Sequence, residues 1–90
     1  MPASVFSLSQ NYPNPWSEET QIDFSLETGA SVRLDVYTTV GQFVRTYSLD
    51  CNRPGTHSLL LRRDDLPPGL YFYKLTAGTQ TAIRHMVVLR

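Results

Sequence analysis

The sequence contains a single cysteine, no excess of charge of either sign and no long hydrophobic run. Because Cys51 is alone, an internal disulfide and a cysteine-based zinc cage are both excluded. Eight basic and eight acidic residues cancel, which argues against binding to the phosphate backbone of nucleic acids. No apolar stretch approaches the roughly 20 residues of a membrane span, and residues 1–4 lack the features of a signal peptide. We therefore expect either a cytoplasmic protein or part of a longer exported one.

The length of the chain predicts one domain. Ninety residues are too few to build two independent hydrophobic cores. The hydrophobic share of 41% is that of a globular protein and argues against disorder. We interpret residues 1–90 as a single domain, in which residues 1–4 are an added start or a linker.

Apolar and polar residues alternate along most of the chain, and glycine or proline interrupts the alternation at short intervals. Ile22, Phe24 and Leu26, for example, share one face of their segment, as a strand with one buried side requires. The predicted strands are 5–8, 20–26, 32–37, 43–49, 56–61, 69–77 and 81–89. The weaker pattern of 43–49 favours an edge position. Seven short strands without a helix pattern predict an all-β, antiparallel sandwich of the immunoglobulin or fibronectin kind.

The segment from Leu66 to Tyr71 resembles the tyrosine corner of Greek-key sandwiches, in which a tyrosine hydroxyl bonds backward to the chain. Leu66, Gly69 and Tyr71 are its candidate structural residues. The alternative is that Tyr71 is an ordinary core aromatic. We also predict burial for the alternating residues of three strands, which are Ile22, Phe24, Val32, Leu34, Val36, Tyr71, Tyr73 and Leu75.

The sequence offers little that is typical of catalysis. His57 and His85 have no third ligand at metal-binding spacing, and no phosphate loop, nucleophile elbow or HExxH motif occurs. We therefore predict no enzyme, no metal and no cofactor. Tyr37, Tyr47 and Phe72 fall on faces opposite core residues, where exposed rings can stack on sugars or pair across strands. A carbohydrate-binding or spacer module of a secreted glycoside hydrolase is therefore the alternative function.

Five segments in a fixed order carry a further pattern. They are FSLSQNYPNPW (6–16) with TQIDFSL (20–26), VRLDVY (32–37) with VGQFV (40–44), PGTH (54–57), LPPGLYFYKL (66–75) and RHMVVLR (84–90). In this order they resemble the type A C-terminal sorting domains of the type IX (Por) secretion system, and the resemblance spans residues 6–90. Trp16 stands where that family usually has phenylalanine, and His85 where it commonly has lysine.

The resemblance implies a non-catalytic signal at the end of a larger exported protein, its cargo. Such a protein crosses the periplasm, is recognised by an outer-membrane secretion translocon, and is secreted or held at the cell surface. In some members a sortase-like peptidase then removes the domain. Arg84, His85 and Arg90 are the candidate recognition residues. The last strand is the expected contact, because an edge strand offers unpaired backbone groups to a partner.

Overall fold

The described part of the chain folds into seven strands, all paired in the antiparallel sense. The computed structural model describes residues 7–64 and 66–89. The strands are β1 (Ser7–Leu8), β2 (Glu19–Leu26), β3 (Ala30–Thr38), β4 (Phe43–Cys51), β5 (Gly55–Arg62), β6 (Gly69–Ala77) and β7 (Gln80–Val88). The predicted all-β class and number of strands are confirmed. The start of the first predicted strand, residues 5 and 6, lies outside the described residues.

The strands form two sheets that pack face to face. The smaller sheet has the order β1-β2-β5, and the larger sheet has the order β4-β3-β6-β7. Strand β4 therefore lies at an edge, as its weak alternation predicts. Gly41, in the turn between β3 and β4, has a φ of +87°, a conformation that a side chain with a Cβ atom resists. Within the described residues no helix is long and apolar enough to cross a membrane.

The core lies between the sheets and is built by the inward half of each alternation. All eight side chains that the sequence predicts to be buried belong to it. Met86 and Val88 of β7 are also buried there, as is Trp16, which is only 1% exposed. Burial of one large aliphatic or aromatic side chain stabilises the folded state by about 1.5 to 3 kcal/mol. The last strand is thus a structural part of the sandwich as well as a candidate recognition element.

Two arginines join the sheets at the open sides of the sandwich. On one side, Arg45 of β4 donates to the carbonyl oxygens of Arg62 and Arg63 at the end of β5, at 3.3 and 3.4 Å. On the other side, Nε of Arg84 in β7 donates to the carbonyl oxygen of Leu8 in β1 at 2.7 Å. Hydrogen bonds from a charged donor are stronger than neutral ones. Each open side of the sandwich therefore has at least one charge-assisted hydrogen bond that links one sheet to the other.

Candidate functional site

The outer edge of the last strand is covered by residues 10–16, which we call the strap. The backbone N–H of Trp16 donates to the carbonyl oxygen of Val87 at 3.0 Å, and the N–H of Leu89 donates to the carbonyl oxygen of Trp16 at 2.7 Å. The Val87 N–H donates to Oδ1 of Asn14 at 2.9 Å. Trp16 also forms a parallel bridge with Val88. The strap is thus an added, irregular strand on the edge of the larger sheet.

The strap reaches two residues further back along β7. Nε2 of Gln10 donates to the carbonyl oxygen of His85 at 2.5 Å. Backbone groups of residues 85, 87 and 89 are therefore bonded within the domain itself. The sequence-based expectation that the end of the last strand offers unpaired backbone groups is corrected by this arrangement. What β7 presents to a partner over these residues is its outward side chains.

A buried polar network holds the strap in place. Asn11 is 2% exposed, and its side-chain amide donates to the carbonyl oxygen of Pro13 at 3.0 Å and to Oγ1 of Thr20 at 3.1 Å. The backbone N–H of Asn11 donates to the hydroxyl of Tyr73 at 2.9 Å, and that hydroxyl donates to the carbonyl oxygen of Ser9 at 3.0 Å. Burial raises the pKa of the Tyr73 phenol, so it stays a neutral donor. Each member has a partner, which fixes the bend of the strap.

Two of the three candidate recognition residues, Arg84 and His85, are not brought together. Arg84 and His85 are neighbours in β7, so alternation sends their side chains to opposite faces of the larger sheet. Arg84 holds Leu8 on the inner side. His85 lies on the outer face beside Phe72, with a ring-centre distance of 6.1 Å. Arg90 lies outside the described residues. A shared role for Arg84 and His85 on one recognition surface therefore has no geometric basis.

The corner between β5 and β6 contains a backward hydrogen bond from Tyr71. Its hydroxyl donates to the carbonyl oxygen of Pro67 at 2.6 Å, four residues upstream. Leu66 is buried, and its carbonyl oxygen accepts from Nε of Arg63 at 2.9 Å. Gly69 begins β6 with a φ of +148°. The contacts tie the turn to the first core residue of the strand that follows.

A row of rings crosses the outer face of the larger sheet, one ring from each strand. The ring of Phe43 meets the ring of Tyr37 edge to face, with 6.0 Å between the ring centres. Tyr37 in turn stacks on Phe72, with 5.3 Å between the ring centres, and Phe72 contacts His85. Tyr37 and Phe72, two of the three aromatics singled out from the sequence, thus pair across strands. The third, Tyr47, is the register partner of Leu34. Its side chain therefore packs against the core, on the face away from this row.

Phe43 is the member of this row that the sequence pattern missed. The pairing of β3 with β4 shifts register between Val36 and Tyr37, and one extra residue reverses which face the next side chain occupies. Only Gly41 and the short turn hint at such a shift. In the row, Tyr37 and Phe72 cover part of each other's faces, since their planes differ by 18°. This stacking does not favour a flat platform for sugars.

The described residues contain no group of three or more histidine, cysteine, aspartate or glutamate side chains that could hold a metal ion. Cys51 lies buried at the end of β4. Burial, and to a lesser extent the Asp50 carboxylate, raises the pKa of the Cys51 thiol. A raised pKa and low exposure are the opposite of what a reactive cysteine has.

Comparison with known proteins agrees with this architecture. No curated protein matches the chain. Among solved structures, the CARDB domain of a Pyrococcus furiosus protein, crystallised in complex with di-metal ions, superposes with a TM-score of 0.55 at 13% identity. The match covers 98% of this chain and 97% of that one. At this identity the likeness establishes the immunoglobulin-like fold alone.

A family model matches nearly the whole chain. The model is described as "Secretion system C-terminal sorting domain" and matches residues 10–89. The match therefore begins in the strap and ends just past β7, the two segments that are bonded to each other. This chain belongs to the family of C-terminal sorting domains of the type IX secretion system.

Proposed function

We propose that this domain is the non-catalytic signal that routes a larger exported protein, its cargo, through the outer membrane and retains it at the cell surface or releases it. The observation that supports the proposal is the family match over residues 10–89. The expected partners are an outer-membrane secretion translocon, reached from the periplasm, and in some cases a sortase-like peptidase.

The architecture is suited to recognition by shape. A rigid surface avoids the entropy that a disordered tail loses when it becomes ordered on binding. Here the first and last parts of the domain are fastened together by the contacts of Trp16 and Val87, 3.0 Å apart. A translocon that recognises the shape formed by the strap and β7 therefore binds only a domain in which these two segments have folded together.

The test uses a reporter with an N-terminal signal peptide and this domain at its C terminus, expressed in a host with a type IX system. Immunoblots of medium, cell surface and periplasm locate the fusion. We expect the intact fusion outside the cell. Retention of the intact fusion in the periplasm of a competent host would contradict the proposal and leave the spacer or carbohydrate-binding alternative.

The residues that carry recognition need a variant that spares the fold. Deletion of residues 87–90 is unsuitable, because Val87 holds the strap and Val88 is part of the core. Arg84 is also left intact, because it bonds to Leu8. The variant His85→Ser with Arg90→Ser should be retained in the periplasm more than the intact fusion. Arg53→Ser, which removes an exposed cation from the turn before β5, is the control and should be exported normally.

A further inference from the structure

The outer faces of the two sheets differ in chemistry. The outer face of the smaller sheet carries short polar side chains on paired positions of β1, β2 and β5, namely Ser7, Gln21, Asp23, Ser25, Thr56 and Ser58. Several already bond to one another: Oγ of Ser58 and Nε2 of Gln21 both donate to Oδ1 of Asp23, at 2.7 and 2.8 Å. Leu60 is the exception, with 48% of its surface exposed. Because its side chains are polar, exposure of this face to water costs the folded state little free energy.

The outer face of the larger sheet carries a mainly apolar surface across β3, β6 and β7. We call this surface the aromatic face, and its residues are Tyr37, Leu70, Phe72, Ile83, His85 and Val87. The register places Leu70 opposite Val87 and Phe72 opposite His85. Leu70 is 48% exposed and Ile83 is 56% exposed. A contiguous exposed apolar patch marks an interaction surface more often than scattered apolar residues do.

One cation in this region lacks an ionic partner among the described residues. Lys74 lies opposite Ile83 in β7 and opposite Asp35 in β3. Asp35, however, already accepts hydrogen bonds from Nε of Arg33 at 3.1 Å and from Oγ1 of Thr46 at 2.7 Å. The Asp35 carboxylate is therefore engaged. Lys74 is left to attract a carboxylate from another molecule at the border of the apolar surface.

We propose that the aromatic face is the surface on which the secretion translocon docks, and that the translocon meets it with an apolar protein surface bearing a carboxylate for Lys74. The inference rests on the proposed sorting function and refines it. It moves recognition from the edge of β7, which the strap covers over residues 85–89, to the outward side chains of that strand. Burial of the apolar surface supplies affinity, and the Lys74 contact supplies orientation.

The chemistry of the face favours such a protein over the two other candidate occupants. A second copy of this domain would present its own Lys74 to this Lys74, and the carboxylate beside it, Asp35, already binds Arg33 and Thr46. An anionic membrane surface recruits proteins that carry clusters of about four to eight lysines and arginines. Lys74 by itself gives a much weaker attraction to anionic lipids than such a cluster does.

The test compares two leucines with the same exposure on opposite sheets, Leu70 and Leu60. Each is changed to serine in the reporter fusion, and export is followed by pulse-chase labelling. We expect Leu70→Ser to slow export by about tenfold, the effect of losing one well-packed interface anchor. Leu60→Ser should be exported at the rate of the intact fusion. Urea unfolding of the purified variants verifies that both fold.

A second variant decides the matter if Leu70→Ser proves unstable. Lys74→Glu replaces the attracted charge by a repelled one without touching the core, and it should also slow export. The inference is overturned if Lys74→Glu and a folded Leu70→Ser are exported normally, or if Leu60→Ser is slowed equally. In those cases the intact fusion is still exported, so the sorting function stands. Failure of the intact fusion would instead remove the sorting function itself.

The two rejected occupants have their own readouts. Sedimentation equilibrium of the purified domain should give a monomer, and a dimer that Leu70→Ser dissociates would overturn the proposal in favour of self-association. Co-sedimentation with vesicles of phosphatidylethanolamine and phosphatidylglycerol should give no binding. Vesicle binding that Lys74→Glu abolishes would assign the face to a membrane surface instead.

Discussion

The hydroxyl of Tyr71 donates to the carbonyl oxygen of Pro67 at 2.6 Å, and the substitution Tyr71→Phe removes this hydroxyl alone. The ring is 6% exposed, so its packing is retained in the variant. Pro67 and Pro68 have no N–H groups of their own, and the turn therefore has few other hydrogen bonds to hold it. Loss of one such bond, with its acceptor left partly unmet, costs about 1 to 2 kcal/mol of unfolding free energy.

Two other tyrosines provide a matched series. Tyr73→Phe removes two bonds, to the Asn11 N–H and the Ser9 carbonyl, and should cost about twice as much as Tyr71→Phe. Tyr37 stacks on Phe72, and its hydroxyl has no hydrogen-bond partner among the described residues. Tyr37→Phe should therefore change stability by less than about 0.5 kcal/mol.

The assay is urea unfolding followed by the fluorescence of Trp16, the single tryptophan of the chain. Trp16 is 1% exposed in the folded state, so its emission shifts to longer wavelength when the core opens. With a slope of roughly 1 kcal/mol per molar urea for a small domain, the Tyr71→Phe midpoint should fall by about 1 to 2 M. If Tyr71→Phe behaves like Tyr37→Phe, the backward bond contributes nothing and the reasoning is refuted.

Three further changes test other parts of the structure. Gly29→Ala should lower stability by about 1 to 3 kcal/mol, because the added Cβ would lie 2.6 Å from the carbonyl oxygen of Asn52; an unchanged melting temperature would contradict this. Burial raises the pKa of the Cys51 thiol, so its contribution to stability is complete at neutral pH and declines as the pH rises above about 8.5, where the unfolded thiol ionises. Urea midpoints at pH 7 and pH 10 should therefore differ more for the native chain than for Cys51→Ala, and equal differences would contradict the assignment. Arg84→Ser should cost about 1 to 2 kcal/mol through the lost bond to Leu8, whereas equal midpoints for Arg84→Ser and the native chain would show that the sheets do not need it.

The inward and outward side chains of the last strand have different roles. Met86 and Val88 fill the core, so we expect a large truncation of β7 to unfold the domain, and a loss of export would then follow from unfolding alone. His85 and Val87 point outward and can be changed with less effect on the core. Experiments on the signal therefore need outward substitutions together with a measurement of stability.

Trp16 illustrates how one position serves the fold. Its ring is buried in the core while its backbone holds Val87 and Leu89. The indole Nε1 has no hydrogen-bond partner among the described residues. The position thus needs a large apolar ring more than it needs the N–H, which agrees with a family pattern that has phenylalanine there.

Alternation is a local property, and it was enough to predict the strands. Successive side chains of a strand point to opposite faces, so Ile22, Phe24, Leu34 and Tyr73 could be assigned to the core from their own segments. The turns could be predicted in the same way, because glycine permits a positive φ, as at Gly41, and the proline of each proline-glycine pair fixes φ at its own position. The weak pattern of β4 likewise indicated its edge position without knowledge of its neighbours.

What the sequence by itself determined is therefore the all-β class, the inward and outward side of most strands, and, through its ordered motifs, the family. Only the tertiary structure decided that the strap covers the edge of β7, that Arg84 joins the sheets, and that Phe43 completes the row of rings. Gln10 bonds to His85 and Arg84 to Leu8 across more than 70 positions of chain. Contacts between residues so far apart follow from the order of strands in the two sheets and from a register shift, and local pattern carries no record of either.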